Sequence, residues 1–206
     1  MPLGAILATG WASGLNVYGT ALLLGLAGRL EWADTPTRLQ ETWVLVVLGV
    51  MYAVEFVVDK IPYLDTAWDA VHTAIRPIGG ALLGGALAHD AGSSEIIGAL
   101  LSGTFALSAH GAKATSRVLI NTSPEPVTNV AASLGEDGLV AGMVALAIAE
   151  PVIAGTVAVL AAIVSVIVIW LVVKALRRLR RRWRTWWSAR PFSGRQPPEE
   201  ASAPPG

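Results

Sequence analysis

One stretch decides the fold class: Gly138-Leu-Val-Ala-Gly-Met-Val-Ala-Leu-Ala-Ile-Ala-Glu150-Pro151-Val-Ile-Ala-Gly-Thr-Val-Ala-Val-Leu-Ala-Ala-Ile-Val-Ser-Val-Ile-Val-Ile-Trp-Leu-Val-Val173, which holds one ionisable side chain in 36 residues. A straight helix of that length would measure about 54 Å, whereas the hydrocarbon core of a bilayer is about 30 Å thick. Pro151 lacks a backbone donor and disfavours helix at Glu150, so we expect a break there. Residues 152–173 can then cross a membrane alone, and residues 138–149 are predicted to form a half-helix inside the protein.

The chain as a whole is also rich in hydrophobic residues and poor in charged ones. Of its 206 residues, 53% are hydrophobic and 15% are charged, and there is no cysteine. Soluble domains carry about 25% charged residues, so this composition argues against a soluble enzyme. The absence of cysteine excludes disulfides, thiolate metal sites and cysteine nucleophiles. We predict an all-α polytopic membrane helical bundle with four to five spans and at least one broken or re-entrant helix.

The charges divide the chain into two parts. Residues 1–173 carry six basic and thirteen acidic side chains, whereas residues 174–206 carry nine basic and two acidic ones. We therefore predict a transmembrane helical domain, 1–173, followed by a basic juxtamembrane segment and disordered tail, 174–206. The positive-inside rule places this C-terminus in the cytoplasm, and we expect a bacterial cytoplasmic (inner) membrane.

The basic segment has two interpretations. It is an orientation signal alone, or its interleaved tryptophans make it an interfacial anchor on anionic lipid. Membrane lipids are the expected partners in both cases, and nucleic-acid binding is not expected. The many glycines also suit a homo-oligomer, although they suit packing within one chain equally well.

The first apolar segment, from about Leu3 to Gly28, has an unusual centre. It contains Gly10, Ser13, Gly14 and Asn16, which break helices or need hydrogen-bond partners. One interpretation is an unwound segment that lines a site, as transporters use. The other is close helix packing through Gly10-xxx-Gly14.

Two stripes of charge follow. Asp65, Asp69, His72 and Arg76 stand at i, i+4, i+7 and i+11, which is one face of a helix with an apolar opposite face. Residues 77–88 reach only about 18 Å, so we favour one span kinked at Pro77 over a re-entrant segment.

The second stripe is basic. His110, Lys113 and Arg117 stand at i, i+3 and i+7 on a helix that we expect Ser93 or Ser94 to cap. Ser133-x-x-Glu136 is predicted to form a capping box at the start of the next helix.

Ionisable side chains at membrane depth are costly, so they are candidate functional residues. The candidates for a substrate or ion pathway are Ser13, Asn16, Glu55, Asp59, Lys60, Asp65, Asp69, His72, Arg76, His110, Lys113, Arg117, Glu125 and Glu150. They have three interpretations: a hydrated pathway for an ion or small polar solute, structural pairing between helices, or a metal site at Asp65, Asp69 and His72. The chain has no Walker loop, His-Glu-x-x-His or Gly-x-Ser-x-Gly motif, so an enzyme has support only from the third interpretation.

We take a transporter or channel-like protein as the leading hypothesis. The alternatives are a non-transporting membrane scaffold or assembly factor, and a metal-dependent intramembrane enzyme. No motif in the sequence identifies a cofactor or a substrate.

Several motifs together resemble a known bacterial membrane-protein family. They are Ser13-Gly-Leu-Asn16, Asp59-Lys-Ile-Pro-Tyr-Leu-Asp65, His72-Thr-Ala-Ile-Arg-Pro77, Ala109-His-Gly-Ala-Lys113, Ser123-Pro-Glu-Pro126 and Ser133-x-x-Glu-Asp137. In combination, over about residues 8–151, the chain resembles the family catalogued as domain of unknown function four-one-two-six. The resemblance implies a multi-span fold with these polar motifs as its signature, and it implies no catalytic role.

Overall fold

The computed structural model describes residues 3–121 and 126–188, and these residues are all-α. They form seven α-helices and a short 3-10 helix, Thr37–Gln40, with no strand. The α-helices are α1 Leu3–Leu15, α2 Val17–Arg29, α3 Thr42–Val58, α4 Leu64–Asp90, α5 Glu95–Ile120, α6 Pro126–Ala149 and α7 Pro151–Ser188.

By its internal contacts the chain divides into two units, 1–173 and 174–206. The first unit contains α1 to α6 and the first part of α7. Of the second unit, the structure describes only residues 174–188, which are helical. The predicted disordered tail beyond residue 188 lies outside the described residues.

The first apolar segment is broken at Asn16. This residue is extended, with φ −152° and ψ 100°, and its side-chain oxygen accepts a hydrogen bond from the Gly19 amide at 2.8 Å. Asn16 is therefore the N-cap of α2. Both sequence interpretations of this segment have a counterpart in the structure, because the helix breaks at Asn16 and because Gly10 and Gly14 of α1 make close contacts.

Those glycines let α1 approach α5. A Cβ atom at Gly14 would lie 2.2 Å from the main-chain oxygen of Ala106, and one at Gly10 would lie 2.5 Å from that of Ser102. Small residues also bring α4 and α5 together, since a Cβ at Gly98 would lie 2.4 Å from Cβ of Ala88. The backbones of α1, α4 and α5 therefore pack in direct contact.

The break that the sequence predicts at Glu150 is also present. Glu150 is not helical and separates α6 from α7, which begins at Pro151. Helix α4 continues through Pro77 as one helix of 27 residues, and Ser94 caps α5 by accepting from the Ile97 amide.

Two expectations about α6 were wrong. The helix begins at Pro126 and has 24 residues, or about 36 Å, so residues 138–149 are not a separate half-helix. Ser133 and Glu136 therefore lie inside α6 and form no capping box at its start. The local pattern was misleading because proline is itself well suited to the first position of a helix.

Among the described residues, two helical segments are long and apolar enough to cross a membrane, Val127–Ala149 and Pro151–Arg178. Helices α1 and α3 are apolar but shorter. The two largest fully buried side chains are the arginines Arg76 and Arg117.

Candidate functional site

The charged residues of four consecutive helices meet inside the first unit. We call this set the buried charged network: Glu55, Asp59, Asp65, Asp69, Arg76, Lys113, Arg117 and Glu136. Seven of the eight residues are no more than 3% exposed, and the side chain of Glu136 is 17% exposed. The two stripes predicted from the sequence both face this network.

Arg76 forms its centre on α4. Its two terminal nitrogens bind Glu55 Oε1 and Asp69 Oδ1, each at 2.8 Å. One of these nitrogens also lies 3.0 Å from Nδ1 of His110. Because arginine only donates, that Nδ1 accepts, and His110 is a neutral imidazole whose Nε2 donates to Thr73 Oγ1 at 3.2 Å.

Lys113 connects α5 to three other parts of the fold. Its ammonium group binds Asp59 directly after α3, and it lies 3.2 Å from Glu136 Oε2 on α6. It also donates to the main-chain oxygen of Leu15, the last residue of α1, at 3.1 Å. One cation thus holds the ends of α1 and α3 against α6.

Arg117 lies one turn after Lys113 on α5. It donates to Glu136 Oε2 at 2.7 Å and to the main-chain oxygens of Asp59 and Asn129 at 3.2 and 3.3 Å. Its distance to Asp65 Oδ2 is 3.7 Å. The remaining oxygen of Asp65 accepts from Asn121 Nδ2 at 2.8 Å, so the start of α4 is fixed to the end of α5.

His72 lies on the same face of α4 but has other partners. Its Nδ1 donates to the main-chain oxygen of Trp68 at 2.8 Å, and its Nε2 lies 3.0 Å from the hydroxyl of Tyr18 on α2. The Trp68 ring stacks on the imidazole at a centroid distance of 4.4 Å. Both ring nitrogens are therefore occupied.

The network contains more acids than cations. Five carboxylates face three basic side chains, so its formal charge is negative. Four of its carboxylates each keep one buried oxygen without a hydrogen-bond partner: Glu55 Oε2, Asp59 Oδ1, Asp65 Oδ2 and Asp69 Oδ2. Unpaired buried oxygens are rare in proteins because desolvation is costly, so these atoms require an explanation.

A cavity reaches the network from one side. It has a volume of about 350 Å³ and is lined by apolar residues of α1, α5, α6 and α7 together with Lys113 and Glu136. Trp11 lies in the wall and donates to Ser165 Oγ on α7 at 3.2 Å. The most exposed acid of the network is therefore also the one that lines a cavity.

Other predicted residues lie near or away from this network. Ser13 is buried and donates to the main-chain oxygen of Thr9. Lys60, in the loop after α3, donates to the main-chain oxygen of Phe56 and to Ser133 Oγ, and partial burial lowers its pKa.

Of the two remaining candidates, Glu150 is not in the network. Glu150 is exposed and follows Glu136 by 14 residues, which is about 21 Å along α6. Glu125 lies outside the described residues.

The three metal candidates do not converge. Asp65 binds Asn121, Asp69 binds Arg76, and His72 binds Tyr18 and the Trp68 carbonyl. Within the described ranges, no group of three or more His, Cys, Asp or Glu side chains could hold a metal ion.

Sequence reasoning missed the contribution of α6. Glu136 was expected only in a capping box, and Asn129 was not among the candidate residues. A signal was nevertheless present, because Asn129, Ser133 and Glu136 stand at i, i+4 and i+7, the same stripe spacing that revealed the other two helices.

Comparison with known proteins gives one match. A family model described as Domain of unknown function (DUF4126) matches residues 3–174, which confirms the resemblance drawn from the motifs. Neither the curated proteins nor the solved structures contain a match to the chain.

Proposed function

The chain belongs to the Domain of unknown function (DUF4126) family, and from its structure we propose that it is an integral membrane protein that binds and transports an ion or small polar solute. The buried charged network is the proposed binding site. The observation that carries this proposal is the excess of buried carboxylates at the meeting point of four helices, with four oxygens that have no hydrogen-bond partner.

The distribution of polarity on α4 supports a membrane location. Asp69 and Arg76 are at most 1% exposed, whereas Val71, Ile78 and Leu82 on the outer face are 59–70% exposed. In water, this arrangement would expose apolar surface while it desolvates charge. In lipid, both faces of α4 are in a favourable environment, because hydrocarbon covers the apolar side chains and the charged side chains pair inside the bundle.

Within the described residues, five proposed spans account for every α-helix except α3. They are the broken pair α1–α2 and the four helices α4, α5, α6 and α7, within the four to five expected from the sequence. The basic residues after 173 support a C-terminus on the cytoplasmic side of a bacterial inner membrane and favour contact with anionic lipid. Fusion of a cytoplasm-specific reporter to the C-terminus tests this orientation.

Two further observations favour transport. The α1–α2 break at Asn16 leaves a helix end inside the bundle, as in transporters whose discontinuous helices meet at a binding site. The cavity of about 350 Å³ beside Lys113 and Glu136 provides a route to the network. A solute that entered there would meet the acid of the network that is least buried.

The second candidate is a scaffold without transport. It is favoured by the pairing of the cations, since Lys113 and Arg117 each bind groups from more than one other helix. In that case the charges hold the helices in register and never meet water.

Accessibility to a thiol reagent distinguishes the two candidates. The chain has no cysteine, so single replacements Asn16→Cys, Asp69→Cys and Lys113→Cys can be made directly. We expect a membrane-impermeant reagent to label these positions from one side, and a transported solute to block the labelling.

Two controls define the range of the signal. Ala158→Cys, in the apolar core, should stay unlabelled, and Glu150→Cys, which is exposed, should be labelled. If Asn16→Cys, Asp69→Cys and Lys113→Cys all behave like Ala158→Cys from both sides in a folded protein, transport is excluded and the scaffold is supported.

A further inference from the structure

Arg76 is a single cation between two buried carboxylates. Its terminal nitrogens lie 2.8 Å from Glu55 Oε1 and 2.8 Å from Asp69 Oδ1, and all three side chains are at most 1% exposed. A guanidinium carries one positive charge, so it neutralises one of the two acids. The other acid needs a second source of positive charge.

The neighbouring groups do not supply that charge. His110 accepts from Arg76 through Nδ1, so it is neutral. Lys113 lies 3.8 Å from Glu55 Oε1 but binds Asp59 and Glu136 more closely. The surplus negative charge therefore stays with Glu55 and Asp69.

Each of these two acids also has a carboxylate oxygen that could take up a positive charge. Glu55 Oε2 and Asp69 Oδ2 are buried and have no hydrogen-bond partner. A metal cation would need several converging oxygens, and no such group of side chains exists in the described part of the chain. A proton needs only one oxygen, and it converts a buried carboxylate into a neutral acid.

We propose that Glu55 and Asp69 share one exchangeable proton across Arg76, so that H⁺ is the ion bound by the buried charged network. This inference rests on the proposed function. On binding, an O–H bond of a hydronium ion breaks and an O–H bond forms at Glu55 Oε2 or Asp69 Oδ2, which leaves a water molecule. On release, that bond breaks, the proton returns to water, and the carboxylate regains its charge.

The charged groups around Glu55 and Asp69 allow the pair both to bind a proton and to release it. Other charged and titratable groups act on Arg76 or on the two acids: Tyr18 of α2, Tyr52 of α3, Asp59 after α3, His72 of α4, His110 and Lys113 of α5, and Glu136 of α6. Asp59 and Glu136 favour uptake of the proton, because a second negative charge nearby disfavours ionisation. Arg76 and Lys113 favour its release.

Infrared difference spectroscopy tests the proposal on the full chain in lipid vesicles. We expect a carboxylic acid C=O band at neutral pH that disappears when the pH is raised. The band should be lost in Glu55→Gln and in Asp69→Asn, because either change removes one partner of the shared proton. The matched controls Glu41→Gln and Asp90→Asn replace exposed acids and should leave it unchanged.

The conservative variants Glu55→Asp and Asp69→Glu retain the acid and should move the band without removing it. They keep the test decisive if the neutral variants do not fold. The proposal is overturned if wild-type protein has no such band near neutral pH, or if the band persists in both neutral variants.

Proton flux measured with a dye inside the same vesicles separates this inference from the proposed function. A pH-sensitive band without flux of protons or of any solute supports the proton site and overturns transport. Solute flux without the band overturns the proton site and leaves transport standing.

Discussion

The ammonium group of Lys113 donates to the main-chain oxygen of Leu15, with 3.1 Å between the two atoms. Leu15 is the last residue of α1, and the final carbonyls of a helix have no partner within it and form the negative end of its dipole. The break at Asn16 therefore creates an acceptor that a continuous helix would not offer. Through this contact, the end of α1 becomes part of the buried charged network.

Loss of the Lys113 charge should destabilise the fold. In Lys113→Met, Asp59 and Glu136 lose a cation and Leu15 loses a donor. We expect the free energy of unfolding in detergent to fall by about 3–5 kcal/mol, as when one partner of a buried ion pair is removed. The control is Arg38→Met at an exposed position, and equal stability of the two variants would contradict this account.

The pair between Arg117 and Glu136 should show coupling. These side chains are 2.7 Å apart and join α5 to α6. In a double-mutant cycle with Arg117→Leu and Glu136→Leu, we expect a coupling energy of about 0.5–3 kcal/mol. Additive effects within about 0.5 kcal/mol would mean that the two side chains act independently.

Two glycine substitutions should have opposite signs. Gly14→Ala places a Cβ 2.2 Å from the main-chain oxygen of Ala106 and should cost about 1–3 kcal/mol of stability. Gly142→Ala meets nothing within 4 Å and lies in the interior of α6, so it should stabilise by about 0.5–1 kcal/mol. Thermal unfolding of both variants checks the pair, and a stable Gly14→Ala would refute the close contact of α1 with α5.

The cap at Asn16 should be replaceable by another side-chain oxygen. Asn16→Ala leaves the Gly19 amide without its partner at 2.8 Å and should cost about 0.5–2 kcal/mol. Asn16→Ser retains an acceptor and should recover most of that loss, as measured by chemical unfolding. If serine and alanine are equally destabilising, the role of Asn16 is not to cap α2.

The sequence predicted features that depend on local chemistry. The breaks at Asn16 and Glu150 follow from polar residues and proline within apolar runs, and both are present. The two charge stripes were also identified correctly, because helical spacing places their members on one face. Asp59 and Lys113 were both among the candidate residues, although the sequence could not specify that they pair.

What depends on long-range partners could not be predicted. Ser133-x-x-Glu136 matches a local cap, but Glu136 binds Arg117, 19 residues earlier in the chain. Glu150 was included as an ionisable group beside a span, yet it lies exposed at the far end of α6. Hydrophobic pattern and spacing describe one helix at a time, whereas the depth and partners of a charge depend on how several helices pack.

The pairing of Asp59 with Lys113 has a consequence for synthesis. The two residues are 54 positions apart in the chain, so at roughly 5–20 residues per second the ribosome makes the cation roughly 3–11 seconds after the acid. During that interval Asp59 has no access to this partner. Helices α3, α4 and α5 are therefore expected to complete their packing only after α5 has been made, so that the three assemble as one group.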